Sequence, residues 1–140
     1  MRSIGRALAG AALALAFFVA AAATGKEDVS KSPQAKTHQA MLKAVAAGDY
    51  EAYKKCMTKA SVAGIEKESK ESGLDPRKAM GILKEMTPKD LAYTNLKVNG
   101  KKATLEATGQ VFGEPNKGTI ELEQEDGEWK IANQSWTNKK

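Results

Sequence analysis

Few side chains in this sequence could carry chemistry. There is one histidine, His38, one cysteine, Cys56, and three tyrosines, Tyr50, Tyr53 and Tyr93. A histidine-centred mechanism would have to use His38, yet no nearby residue offers itself as a partner, and it reads as a partly exposed helical histidine. The tyrosines could give hydroxyls to a ligand, although such residues more often bury the ring and keep the oxygen wet. Cys56 reads as a half-buried small hydrophobe with no second cysteine to pair with. One Cys and one His cannot supply a protein-rich zinc site. Met41, Met57, Met80 and Met86 fall at helical spacing and read as pliable core. The acids between Glu121 and Glu128 alternate along a strand, with no loop to converge their oxygens on calcium. No metal and no cofactor are expected.

Carboxylates remain, and their use depends on the elements that would aim them. Asn99-Gly100 and Asp126-Gly127 are strong two-residue hairpin signals. About the first, Leu96 faces Ala103 and Thr94 faces Leu105, with Asn95 and Thr104 on the other side. About the second, Leu122 faces Ile131 and Gln124 faces Trp129, while Glu123 meets Lys130 on the opposite face as a favourable charge pair. Phe112 to Lys117 reads as a longer connection. The inner face then carries Ala103, Leu105, Ala107, Gly109, Val111, Ile120, Leu122, Gln124, Trp129, Ile131 and Asn133. Strict alternation sends Glu106, Glu121, Glu123 and Glu128 outward. An acid–base pair has no place on the inner face, so no catalytic residue is assigned and the reading leans away from an enzyme. Trp136 falls out of phase and marks a bulge, an edge contact or a dimer surface.

An apolar sheet face needs a cover, and helical signals precede the strands. Ser32-Pro33 opens a helix over Gln34 to Ala47, with Met41, Leu42 and Val45 on one face. Gly48 stops it. Asp49 caps a second helix bearing Tyr50, Tyr53 and Met57, Thr58 to Ser72 stays helix-permissive, and Asp75-Pro76 restarts a stripe of Ala79, Met80, Leu83 and Met86. Helices followed by a four-stranded antiparallel meander make an α+β fold.

The N-terminus reads as an address. Arg2 and Arg6 precede an apolar stretch from Ala7 to Ala23, and Ala21 and Ala23 fit the A-x-A cleavage pattern, so residues 1–23 are expected to be a secretory signal cut before Thr24. The stretch is short and alanine-rich for a membrane anchor. Residues 24–32 read as a flexible leader, and 33–140 as one domain. The formal charge of +5 falls to +3 without Arg2 and Arg6. The lysines are interspersed with acids, as in Lys67-Glu68, rather than gathered into a nucleic-acid footprint. The product is expected to be exported, periplasmic or secreted, with no nucleic acid as partner.

Two stretches, Ala44-Val45-Ala46-Ala47-Gly48-Asp49-Tyr50-Glu51-Ala52 and Asp126-Gly127-Glu128-Trp129-Lys130-Ile131, resemble the small exported members of the NTF2-like (cystatin-like, cone-shaped) superfamily. The resemblance spans residues 33–140. It implies a curved sheet wrapped on helices, a cone whose mouth can hold a small apolar ligand, and a short strand among the helices that Thr58 to Ser72 is too polar to display. Relatives include isomerases and dehydratases as well as binding and accessory modules, so fold alone selects none of these. With the inner face above, the expected lining is Tyr50, Tyr53, Leu105, Gln124, Trp129 and Asn133, suited to a small hydrophobic molecule held by one or two hydrogen bonds. A protein partner, an isomerase- or dehydratase-type enzyme, and an accessory module that pairs as a homodimer through its sheet stand as alternatives.

Overall fold

Ser32 closes one element and opens the next. Its hydroxyl accepts from the Ala35 N–H while Pro33 supplies the first helical residue. In the computed structural model, which describes residues 28–138, this helix α1 spans Pro33–Ala47. The secretory-signal reading of residues 1–23 lies outside the described residues. Ahead of α1 a 3-10 turn, Val29–Lys31, is capped by Asp28, and Val29 packs against the core. Residues 29–32 of the expected leader are thus part of the packed structure.

Each later helix starts at the cap its sequence announces. Asp49 accepts from Ala52 N to open α2 (Tyr50–Lys55), Thr58 opens α3 (Lys59–Ser72), and Asp75 with Pro76 opens α4 (Pro76–Met86). The strands follow as β1 (Lys89–Asn99), β2 (Lys102–Val111), β3 (Glu114–Glu125) and β4 (Glu128–Asn138), antiparallel and in the order β1-β2-β3-β4. The molecule is an α+β domain, with N-terminal helices laid on one face of an open meander.

Leu105, Ala107, Ile120, Leu122 and Ile131 form the buried sheet face, against Ala35, Met41, Ala44 and Val45 of α1. The last hairpin has the expected register, Leu122 opposite Ile131, Glu123 opposite Lys130 and Gln124 opposite Trp129. The first is displaced by two residues. Its turn is Gly100-Lys101, Leu96 lies opposite Leu105, and Val98 lies opposite Ala103. A two-residue shift keeps every side chain on its face, so it preserves the alternation while pairing two leucines. Thr94, expected opposite Leu105, is an exposed extra residue between Tyr93 and Asn95.

The connection expected over Phe112 to Lys117 is instead a tight turn. Val111 pairs with Glu114, leaving only Phe112-Gly113 between the strands. Asn133 does not lie on the inner face. Glu121 pairs with Asn133 but Leu122 pairs with Ile131, so Ala132 is an extra residue in β4. That bulge reverses the alternation. Asn133 is exposed opposite Glu121, and Gln134 and Trp136 face the side of Ile120 and Gly118.

The strand that the resemblance implies among the helices is reduced to one residue. Met57 bridges Ile131 in parallel sense, with Ile131 N–H donating to Cys56 O at 2.7 Å and Thr58 N–H donating to Ile131 O at 3.0 Å. No helix among the described residues is long and apolar enough to cross a membrane.

Candidate functional site

The bulge at Ala132 helps to enclose an apolar site by turning Trp136 inward. Gly118 receives it. A β-carbon there would stand 2.6 Å from the indole, so only glycine admits the ring at this depth. Beside Trp136 lies a cavity of about 330 Å³, at the lower end of the range typical of small-molecule sites. Met41, Leu42 and Val45 of α1 form one wall. Leu83 and Met86 of α4, with Thr87 and Pro88, form another. Val111, Asn116, Gln134 and Trp136 supply the sheet side, and Tyr53 reaches in from α2.

No lining side chain is charged. Polar atoms come mainly from Tyr53, Asn116 and Gln134. Asn116 is buried and donates from Nδ2 to Glu114 O at 3.0 Å, which leaves its carbonyl oxygen without an intramolecular donor among the described residues. Gln134 Oε1 accepts from the Trp136 indole N–H at 3.4 Å. The chemistry available is dispersion and apolar burial, with a few fixed hydrogen-bonding groups.

One layer beneath this wall sits His38. It is fully buried rather than partly exposed, because α1 turns it toward the sheet. Its Nδ1 and the Tyr93 hydroxyl share a hydrogen bond of 2.8 Å, with the two rings edge-to-face. Its plane lies 29° from that of Trp136, with centroids 6.5 Å apart. Burial pushes its pKa down to about 4, partly offset by the Gln134 side chain. Burial likewise pushes Tyr93 up to about 12. Both groups are neutral at physiological pH, and His38 Nε2 is buried without a hydrogen-bond partner.

No protein-family model and no curated protein matches this chain.

Of the six residues expected to line a pocket, only Tyr53 reaches this cavity. Leu105 is packed solidly in the core. Tyr50 is buried against Tyr53, ring centroids 6.4 Å apart, under Lys54 Nζ at 5.0 Å. Trp129 is half-buried at the other end of the sheet, bordering an open depression with Pro33, Thr37 and Cys56. Gln124 pairs with it across the strands, and Asn133 is exposed. Cys56 is half-buried and its thiol pKa is raised, chiefly by burial. The described residues contain no cluster of three or more metal-ligating side chains.

Sequence reasoning missed Asn116 and Gln134 as lining residues, and it read the bulge that Trp136 marks without placing the ring in a cavity. That bulge was also the signal for Gln134. Ile131 and Trp136 have opposite parity, so placing both side chains on one face requires one extra residue between them, and that residue moves Gln134 inward too.

Proposed function

We propose that this chain is an exported, non-catalytic domain of the NTF2-like type that holds a small, largely apolar molecule in the cavity beside Trp136. The observation that carries this reading is the lining itself: an aliphatic and aromatic wall with Tyr53, Asn116 and Gln134 as its main polar groups and no charge. Such a wall suits a neutral guest oriented by one or two hydrogen bonds. An anion or a sugar would leave its polar groups without partners, at a cost of ~1–3 kcal/mol for each unmet group. The helix–meander order and the short bridge at Met57 are compatible with an NTF2-like cone, and the A-x-A pattern at Ala21 and Ala23 supports export.

A thermal-shift screen of hydrophobic and charged small molecules, followed by product analysis of each hit, tests the proposal. Stabilisation by neutral apolar compounds returned unchanged supports it. Stabilisation only by charged compounds, or turnover abolished by His38→Gln, overturns it.

A further inference from the structure

Along β3 the inward positions Asn116, Gly118, Ile120 and Leu122 are all buried. Three of the four suit an apolar interior, and Asn116 does not. A buried amide ordinarily has a partner at each end. One end of Asn116 has its partner, since Nδ2 donates to Glu114 O at 3.0 Å. That bond also fixes the amide, because only its NH2 group can face a carbonyl oxygen. The acceptor Oδ1 is therefore turned away from Glu114, and no described residue donates to it. Asn116 is only 9% exposed and lines the cavity beside Trp136.

The other polar groups of the lining leave this acceptor distinctive. Gln134 Oε1 already accepts from the Trp136 indole, so the free edge of that amide is its donor, Nε2. The Tyr53 hydroxyl bonds no described side chain and serves equally as donor or acceptor. A guest that only accepts, such as an ether or a ketone, can use Gln134 and Tyr53. It takes water from Asn116 Oδ1 and returns no donor, which weakens binding. An ammonium group would donate, but the lining holds no carboxylate to meet its charge.

We infer that the guest is a neutral alcohol or phenol and that Asn116 selects it, accepting the guest's O–H at Oδ1. The inference rests on the proposed guest binding and adds to it the class of guest and the residue that determines it.

The test compares 1-decanol with methyl nonyl ether, which has the same number of heavy atoms and no donor. Water retains the ether less well, so apolar partition alone would favour it. Binding is read from Trp136 emission in a Trp129→Phe background. The alcohol binds about tenfold or more tightly than the ether, and 1-decylammonium binds more weakly than the alcohol. Asn116→Leu brings alcohol and ether to within about threefold of each other. Asn116→Val, with a strand-suited side chain, is measured beside it, so that a folding defect in one variant does not hide the result. Tyr53→Phe, which removes a group open to both compounds, keeps the preference for the alcohol. Equal binding of alcohol and ether by the parent, tighter binding of the ammonium, or a preference that survives in folded Asn116→Leu or Asn116→Val overturns the inference while guest binding stands. No saturable response to either compound overturns guest binding and this inference with it.

Discussion

His38 and Tyr93 meet at 2.8 Å where the first helix crosses the first strand, and the bond ties together two elements 55 residues apart in sequence. It also fixes a titratable ring in a site with no room for its charge. The folded pKa of about 4 lies below the ordinary value of 6.5. Between those values the unfolded chain binds the extra proton and the folded chain does not. This contribution to stability is therefore complete above pH 6.5 and is lost as pH falls toward 4, by on the order of 3 kcal/mol. Urea denaturation across that window checks it. His38→Gln flattens the slope, and a slope equal to the parent's would show that another group carries the effect.

Gly118→Ala tests the seat of Trp136. The added β-carbon meets the indole at 2.6 Å, so the ring is displaced and the fold loses ~1–3 kcal/mol, the usual cost of overpacking. A lower urea midpoint, together with a red shift in the emission of a Trp129→Phe background, is the expected result.

The bulge at Ala132 makes neighbouring residues unequal. Asn133→Ala, on the exposed face, shifts stability by no more than ~0.5 kcal/mol. Ile131→Ala, fully buried, costs ~2–5 kcal/mol. Denaturation midpoints measure both. A large effect at Asn133 would mean that the alternation continues unbroken.

The helices were legible because each start and stop is a local contact: Ser32, Asp49, Thr58 and Asp75 cap the turn that follows them. The last hairpin was legible for the same reason, since Asp126-Gly127 sets both turn and register. The cavity was not. It depends on Ala132, an extra residue whose place is chosen by what lies across the sheet, and on a turn at Phe112-Gly113 that lacks the usual first residue. Once Phe112 to Lys117 is taken for a loop, Asn116 loses its inward parity. His38 was misread because its partner, Tyr93, is far away in sequence and reaches it only after the sheet closes on α1.

The central claim is that the space beside Trp136 takes an apolar guest, and Trp136 can report on it directly. The chain has two tryptophans, so Trp129→Phe leaves Trp136 as the only one. Titration of that variant with 1-decanol gives a saturable change in tryptophan emission. Adding Val111→Phe, which fills the cavity with a strand-compatible side chain, removes the change and leaves the melting temperature intact. The absence of a saturable response, or an equal response in the filled variant, would contradict the account.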